Sequence, residues 1–257
     1  MLSLIFTFGN MKIYNFKVQK TMDGNLMEFH PTVINVNNKN YLVDCGYAET
    51  YEAFTKGLSK LGIGVHDLHA IIISHDDIDH LGALKRFKEE NLDLIIYCSQ
   101  VEEPSVSGKV KSERLLQAEA NLPHMDEAFK PWAQKFIVQL QGIERVPVDI
   151  ALKDGDHIAD GLHVIATPGH TRGHVSFHIP DQKTLIANDA LVIEEGEFNI
   201  ANPQFTLDLE EAVRSVEKIK TLGAEKIICY HGGVMEEGVD KKLTALIHKY
   251  RSNLNHS

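Results

Sequence analysis

The sequence has little cysteine, no excess of basic residues and no apolar run long enough to cross a membrane. Its three cysteines, Cys45, Cys98 and Cys229, are well separated and odd in number. This pattern favours buried, reduced thiols in a cytosolic protein. The 26 Lys and Arg residues are outnumbered by 36 Asp and Glu residues, giving a formal net charge of -10. Nucleic acid is therefore disfavoured as the main partner, because such partners need a basic surface.

The apolar stretch at the N-terminus, residues 1–9, has neither a basic segment nor a small-residue cleavage site. It is also too short to span a bilayer, so neither a signal peptide nor a membrane anchor is predicted. Met11 offers an alternative start, and residues 1–10 are interpreted as a disordered segment or an upstream extension. Residues 11–257 contain no low-complexity tract or linker and are predicted to form a single domain.

The stretch with the most potential metal ligands follows an apolar, β-branched run at residues 71–73, and this run predicts a buried strand. The run is followed closely by His75, Asp77, Asp79 and His80. Imidazole nitrogen and carboxylate oxygen are the donors that catalytic metal sites use. A buried strand that ends in such a cluster places it where α/β sheets put their active sites. The alternative is a polar loop in which Asp79 caps the following helix.

Strand and helix patterns alternate along the first hundred residues and favour layered α/β structure. Apolar residues recur at helical spacing in the helices and alternate or cluster in the strands. Asn residues at 37–40 suit a tight hairpin turn, since Asn tolerates positive φ. The predicted elements are a strand at 14–18, a Gly-containing loop, a hairpin at 32–43, helices at 49–61 and 82–90, and strands at 70–73 and 94–98.

Residues 99–147 show no strand pattern and are predicted to be a helical insertion. Helices are expected at 112–122 and 127–140, separated by Pro123, with Pro131 in the first turn of the second helix, where proline is tolerated. One interpretation is scaffold packing. The other is that this segment is a lid over the metal site and carries substrate-contact residues, because long connections often carry function.

Strands resume at 152–158 and 162–166, and a Pro-Gly turn after the second of these presents His170. His174, four residues on, is expected to hold this loop by hydrogen bonding, and Thr171 and Ser176 to orient their neighbours. Further strands are predicted at 184–188 and 226–229, with helices at 208–222 and 239–250. Asp189 and His231 each follow a predicted strand.

These motifs resemble those of the metallo-β-lactamase-fold hydrolases. His75-x-Asp77-x-Asp79-His80 resembles the His-x-His-x-Asp-His signature of that family, with Asp77 where most members carry the second His. The run Pro-Gly-His-Thr-x-Gly-His-x-Ser that begins at residue 168 resembles the family's third motif. Three further family positions are also present in the expected order: Asp44 precedes both motifs, and Asp189 and His231 follow them. Asn188 replaces a Gly that usually precedes the Asp at position 189.

The resemblance implies a four-layer αβ/βα sandwich and two divalent metal ions, with Zn expected and Mn or Fe as alternatives. Asp189 would bridge the metals, and Asp79 could orient a hydroxide nucleophile formed on them. Asp44, Thr171 and His174 would support the ligands from behind. The ligands implied for the first metal are His75, Asp77 and His170, and those for the second are Asp79, His80 and His231.

The leading hypothesis is a binuclear metal-dependent hydrolase of a small-molecule ester, thioester or lactone, as in the glyoxalase II and lactonase branches. The alternatives are an iron-dependent redox enzyme of the same fold and a metal-binding module without catalysis. The partner is expected to be a small-molecule substrate in the cytoplasm, with no nucleic acid or membrane. Whether the protein forms a homo-oligomer is left open.

Asp77 is the departure that divides two interpretations of the first metal position. As a ligand it would supply a hard, anionic oxygen, which suits Mn²⁺ and Fe²⁺ better than imidazole does. In the alternative, Asp77 points away and the first position is weak or empty. Both interpretations predict that Asp77→His strengthens zinc binding there.

Overall fold

The computed structural model describes residues 3–8, 11–22 and 24–254. Its strands are β1 (Ser3–Phe8), β2 (Met11–Asn15), β3 (Val18–Met22), β4 (Asn25–Phe29), β5 (Thr32–Val36), β6 (Lys39–Val43), β7 (Leu68–Ile73), β8 (Ile95–Ser99), β9 (Ile150–Leu152), β10 (His157–Ala159), β11 (Leu162–Ala166), β12 (Val175–Ile179), β13 (Thr184–Ile186), β14 (Val192–Glu194), β15 (Glu197–Asn199), β16 (Lys226–Cys229) and β17 (Gly233–Met235). Its α-helices are α1 (Tyr51–Lys60), α2 (Ile78–Leu81), α3 (Leu84–Glu90), α4 (Glu103–Val106), α5 (Glu113–Asn121), α6 (Lys130–Gln141), α7 (Leu209–Thr221) and α8 (Val239–Leu254).

Two large sheets organise the described residues. The first runs in the order β1-β2-β5-β6-β7-β8-β9, and the second in the order β10-β11-β12-β13-β16-β17. In the first sheet β7 lies between β6 and β8 and is parallel to both. In the second, β13 and β16 are parallel neighbours joined through α7. Parallel pairing needs such crossovers, and it aligns the carboxyl ends of the strands at one edge of each sheet.

Strand β7 shows how the layers stack, because its residues are buried on both faces of the first sheet. Ala70 and Ile72 pack between the two sheets with Val164 and Phe177 of the second sheet. Ile71 and Ile73 face the other way, into a cluster that contains residues of α1 and α3. An apolar run with no alternation is what a strand covered on both faces requires.

Helices α7 and α8 cover the outer face of the second sheet. Val213 and Ile219 of α7 and Leu243 of α8 pack against Leu185 and Ile227 of the sheet. The order of layers is therefore helix, sheet, sheet, helix. The four-layer αβ/βα sandwich expected from the resemblance is confirmed.

The chemistry of turns and caps explains where several elements begin. Asn37 and Asn38, at φ 50° and 63°, form the tight turn between β5 and β6. The side chain of Ser112 accepts a hydrogen bond from the Leu115 amide and caps α5, and that of Asp208 caps α7 in the same way. The stretch that contains His75, Asp77, Asp79 and His80 has no such side-chain cap. Its helix α2 begins after Asp77 and not after Asp79, so Asp79 is not the cap considered from the sequence.

The N-terminal part of the chain differs from the sequence prediction in two places. Residues 3–8, expected to be an extension without regular structure, form β1 antiparallel to β2, because β2 offers it an unpaired backbone edge. Residues 1, 2, 9 and 10 lie outside the described residues. The expected strand at 14–18 and its following loop are instead the end of β2 and the hairpin β3–β4, whose Val18 and Phe29 are buried.

The segment 99–147 is helical as predicted, with α4, α5 and α6 and no strand beyond Ser99. Helices α5 and α6 share a small apolar cluster of Leu115, Ile137 and Leu140, against which Ile78 of α2 packs. Ile78 lies between Asp77 and Asp79, so the segment rests directly on the stretch that carries these candidate ligands.

None of the helices in the described part of the chain is long and apolar enough to cross a membrane. Cys45, Cys98 and Cys229 are free and buried, as predicted.

Candidate metal centre

Five loops at the carboxyl ends of strands converge on one site. The strands are β6, β7, β11, β13 and β16, drawn from both sheets. Each is followed, within a few residues, by one or more of the side chains identified in the sequence. In strand order these side chains are Asp44; His75, Asp77, Asp79 and His80; His170; Asp189; and His231.

The first group of potential ligands is His75, Asp77 and His170, and it is buried. Oδ2 of Asp77 lies 3.0 Å from Nε2 of His170 and 3.5 Å from Nε2 of His75. One interpretation of the sequence had Asp77 pointing away from the first metal position. These distances show instead that its carboxylate faces His75 and His170.

The second group is Asp79, His80 and His231. Oδ2 of Asp79 lies 3.2 Å from Nε2 of His231 and 3.7 Å from Nε2 of His80. His80 is fully buried, whereas the His231 side chain is 30% exposed. This group therefore forms the more open side of the site.

Asp189 lies between the two groups. Its Oδ2 is 3.7 Å from Nε2 of His170 on one side. On the other side it is 3.4 Å from Nε2 of His80 and 3.6 Å from Nε2 of His231. The same oxygen of Asp189 thus has donors of both groups around it, and Oδ1 is buried without a hydrogen-bond partner among the described residues. Asp189 is therefore placed where a carboxylate could contact a cation held by either group.

Asp44 and Ser74 fix the orientation of two histidines from behind. Nδ1 of His80 donates to Oδ2 of Asp44 at 2.8 Å. The Ser74 hydroxyl donates to the same carboxylate and accepts from Nδ1 of His75 at 2.9 Å. With Nδ1 engaged in each ring, Nε2 of His75 and of His80 is directed into the site, which is the arrangement typical of metal-binding histidines.

Orphaned polar atoms test whether these residues suit a cation. Nε2 of His75, Nε2 of His80 and Oδ1 of Asp189 are buried and have no hydrogen-bond partner among the described residues. Buried polar atoms are normally satisfied, and the exceptions cluster at functional sites. Imidazole and carboxylate donors at these distances fit Zn²⁺, Mn²⁺ or Fe²⁺.

The charges of the site also favour binding of a cation. Burial raises the pKa of Asp189, but the neighbouring His231 and His80 outweigh burial and hold that pKa well below its ordinary value. Burial lowers the pKa of His80, but the carboxylates of Asp189, Asp79 and Asp44 raise it well above its ordinary value. Buried carboxylates at this density need compensating positive charge, which protons on the histidines or metal ions can supply.

The third motif is held by hydrogen bonds of His174. Its Nδ1 lies 2.9 Å from the Thr167 hydroxyl, which in turn lies 2.8 Å from the Ser176 hydroxyl. Its Nε2 accepts from the Asp189 backbone amide at 3.2 Å. His174 therefore fixes the loop that carries Asp189, which is the positioning role expected for it. Its pKa is held well below the ordinary value, by burial first.

Glu102 is a supporting residue that the sequence did not reveal. Its Oε1 accepts from the Thr171 hydroxyl at 2.7 Å and from the Gly173 amide at 2.8 Å. A Cβ at Gly173 would come within 2.7 Å of this side chain, so only glycine leaves room for it. Burial and the nearby Asp76 raise the pKa of Glu102 to about 8. A lone Glu in a loop gives no sequence signal for such a role.

Arg114 of α5 is a second residue that sequence reasoning missed. Its Nε donates to Oδ1 of Asp77 at 2.9 Å, and its Nη2 donates to Oδ2 at 2.8 Å. The pair is separated by 37 residues, and both side chains are buried. The sequence places Arg114 in a predicted helix, where an Arg is ordinarily a solvated residue, so only the fold could reveal the pair.

A cavity of about 430 Å³ opens onto the site. Asp77, Asp79, His170, Asp189 and His231 contribute to its floor. Most of its other lining is apolar and comes from α2, the segment 99–147, the β14–β15 hairpin and the chain after it. The apolar or aromatic lining residues are Met27, Tyr47, Ile78, Phe136, Leu140, Val192, Ile193, Ala201 and Phe205. Phe136 and Phe205 approach each other with ring centroids 6.1 Å apart.

Comparisons with known proteins agree with this architecture. "Probable metallo-hydrolase YflN" of Bacillus subtilis (strain 168) is 27% identical over 205 residues, which are 74% of each chain. A hydroxyacylglutathione hydrolase of Fuscovulum blasticum is 36% identical over 87 residues, which are 32% of each chain. The crystal structure of a metallo-beta-lactamase family protein from Thermus thermophilus matches with a TM-score of 0.72 and 20% identity. That match covers 95% of this chain and 81% of the other.

The model of the metallo-beta-lactamase superfamily matches residues 30–231, from the start of β5 to the last of the candidate ligands. This range contains both groups of candidate ligands, Asp189 between them, and the supporting residues Asp44 and His174. The chain belongs to the metallo-beta-lactamase superfamily.

Proposed function

We propose that the protein is a binuclear metal-dependent hydrolase of a small-molecule ester, thioester or lactone. Zn²⁺ is the proposed metal, with Mn²⁺ and Fe²⁺ as alternatives. Its place is the cytoplasm, which the three buried, free cysteines support. The observation that carries the proposal is Asp189, whose carboxylate stands between two ligand groups at the floor of a cavity.

Each part of the proposed centre has residues suited to it. One metal would be held by His75, Asp77 and His170, and the other by Asp79, His80 and His231. Asp189 would contact both metals. When bound, metal ions at such positions supply Lewis acidity, which polarises a carbonyl oxygen and makes water a better nucleophile near neutral pH.

Asp79 and Asp189 are the proposed catalytic carboxylates. Asp79 lines the cavity, and its Oδ2 is within 3.2 Å of the partly exposed His231. Its carboxylate can accept a hydrogen bond from an attacking water and orient it towards a substrate carbonyl. Asp189 is held from behind by the hydrogen bond between its own amide and His174. Both carboxylates therefore line the same cavity.

The cavity lining supports a substrate with an apolar, uncharged acyl part. Arg114 is the one Arg or Lys among the described residues that line the cavity, and its guanidinium is already paired with Asp77. An anionic substrate group would find no unpaired Arg or Lys among the described lining residues, whereas an apolar chain would meet Phe136, Leu140 and Phe205. Neutral esters and lactones are therefore favoured over glutathione thioesters, although a hydroxyacylglutathione hydrolase shares part of the sequence.

The experiment is a substrate panel with metal-loaded protein. Neutral esters, acyl thioesters and lactones of increasing chain length are assayed beside a hydroxyacylglutathione, with Asp79→Asn and His80→Ala as inactive references. The expected result is hydrolysis of at least one neutral ester or lactone that disappears in both variants and in the presence of chelator. Metal-loaded protein without activity on any of these substrates contradicts the proposal and favours a binding module. Coloured, iron-containing protein with redox activity favours the iron enzyme.

A further inference from the structure

The ion pair between Arg114 and Asp77 distinguishes the two metal positions. Both oxygens of Asp77 accept from the guanidinium, at 2.9 and 2.8 Å, in the parallel two-bond geometry that Arg and carboxylates prefer. Arg114 is 3% exposed, so water screens this charge little. Asp79, the carboxylate of the second group, instead has His231 and His80 as its ion-pair partners.

The oxygen that faces the first metal position is itself shared with Arg114. Oδ2 of Asp77 lies 2.8 Å from Nη2 of Arg114 and 3.0 Å from Nε2 of His170. A cation bound by His75, Asp77 and His170 would therefore share a donor oxygen with a permanent positive charge. Arg keeps its charge at every pH at which the protein is folded.

Two physical effects follow, and they have the same sign. The guanidinium draws electron density from the Asp77 carboxylate and so makes it a weaker metal donor. It also repels a divalent ion a few ångströms away, in a buried setting where such interactions are strong. Neither effect reaches the second position to the same degree, because Asp79 is not hydrogen-bonded to Arg114.

Arg114 is also held firmly enough to act in this way. Its helix is capped by Ser112, its Nη1 lies 3.4 Å from Oε1 of Gln117, and its guanidinium lies 5.6 Å from the ring centre of Phe205. These contacts and its burial oppose movement of the guanidinium away from Asp77. The charge is thus a fixed part of the first metal position.

We propose that Arg114 is a positioning residue that makes the two metal positions unequal: by neutralising Asp77 it weakens divalent-metal binding at His75, Asp77 and His170 relative to Asp79, His80 and His231. The inference rests on the proposed two-metal function. It assigns a role to the segment 99–147 beyond covering the site, because α5 of that segment sets how strongly the first position holds its metal.

The test is titration of metal-stripped, full-length protein with Zn²⁺ by calorimetry and with Co²⁺ by absorption spectroscopy. The proteins are wild type, Arg114→Met and Arg114→Gln, with Lys111→Met as the matched control. Lys111 forms an exposed ion pair with Glu119 beside the same helix. His170→Ala and His231→Ala assign each binding event to the first or the second position. Far-ultraviolet circular dichroism and the affinity of the second position show whether each variant is folded.

In wild type the first position should bind at least tenfold more weakly than the second, or remain unfilled. Arg114→Met or Arg114→Gln should raise the affinity of the first position about tenfold or more, whereas Lys111→Met should change neither position. A rise of no more than threefold, or a fall, in the folded Arg114 variants overturns the inference. If wild type binds two metals in that case, the proposed function survives. Absence of metal binding by every protein contradicts both.

Discussion

Nδ1 of His80 lies 2.8 Å from Oδ2 of Asp44, and both side chains are fully buried. Asp44 also accepts from the Ser74 amide and hydroxyl, at 2.8 and 2.7 Å. One carboxylate thus ties the end of β6 to the loop after β7 and directs two imidazole rings, since Ser74 in turn orients His75. A residue that is not itself a candidate ligand therefore supports one histidine of each ligand group.

Asp44→Asn should lower the metal affinity of the second position roughly 10- to 100-fold, the usual cost of losing the partner of a metal-binding histidine. Asn tolerates the positive φ of 58° at this position, so the backbone should be retained. A chromophoric chelator in competition with the protein measures the affinity. Asp160→Asn, in an exposed turn, is the control. Equal affinities for Asp44→Asn and wild type would contradict the role given to Asp44.

His75→Ala and His80→Ala should each lower the amount of metal bound per chain. Each removes a buried imidazole whose Nε2 has no hydrogen-bond partner among the described residues, and each therefore removes a potential ligand without breaking a hydrogen bond made by that atom. Elemental analysis of protein purified without chelator from metal-replete cells gives the metal content. His124→Ala, at an exposed position, should bind as much metal as wild type. Protein that carries no transition metal at all would exclude the centre.

Asp77→Ala should lower the free energy of unfolding by about 3–5 kcal/mol, because it leaves the Arg114 guanidinium buried without its partner. The double variant Asp77→Ala/Arg114→Met should lose less than the single variant. For the same reason Asp77→His, expected from the sequence to strengthen zinc binding, should do so only together with Arg114→Met. Denaturant unfolding of the metal-free proteins measures these differences. Additive effects of the two substitutions would mean that the pair is not coupled in solution.

The contribution of Glu102 to the free energy of unfolding should fall as pH rises from about 5 to about 8. Burial raises its pKa to about 8 from an ordinary value of 4.5. Between these values the unfolded chain releases a proton that the folded protein keeps, so folding is penalised by up to about 1.4 kcal/mol per pH unit.

Glu102→Gln imitates the protonated carboxyl and should therefore flatten this dependence. Denaturant unfolding at pH 5, 6, 7 and 8, with chelator in every sample, gives the free energies. Glu225→Gln removes an exposed ion-pair partner of Lys183 and serves as the control. A free-energy difference between Glu102→Gln and wild type that is the same at every pH would show that Glu102 is ionised in the folded protein.

The segment 99–147 should select substrates through Phe136. This side chain lines the cavity from α6, so Phe136→Ala should raise KM for long-chain neutral substrates about tenfold while changing kcat little. Val138→Ala on the same helix is the control, since Val138 is 65% exposed. Kinetics over a series of acyl chain lengths provide the measurement. Identical chain-length profiles for Phe136→Ala and wild type would refute a role of this segment in substrate choice.

The sequence by itself determined the layered α/β structure, the positions of its main helices and many of its strands, and the candidate residues of the centre. Local patterns suffice for the layered α/β structure and for the cluster after β7, because a buried strand reads as an apolar run and the carboxyl ends of strands are where α/β folds collect their functional loops. The full set of candidate ligands, and the sandwich, followed instead from the resemblance of the motifs to those of the family. Local turn and cap signals also held where they are strong, as at Asn37 and Asn38 and at Asp208. They did not reveal β1, the β3–β4 hairpin, β12, the β14–β15 hairpin or β17, whose strands depend on pairing with a neighbour.

Only the tertiary structure decided which charges surround the ligands. Arg114 reaches Asp77 across 37 residues and Glu102 reaches Thr171 across 69, contacts that no periodicity or spacing records. The physical reason is that an ion pair or a buried carboxyl depends on where two elements pack, whereas a helix or strand pattern records only which face of one element is buried. The charge around His75, Asp77 and His170 is therefore set by the packing of α5 against the loop after β7, together with the identity of residue 77.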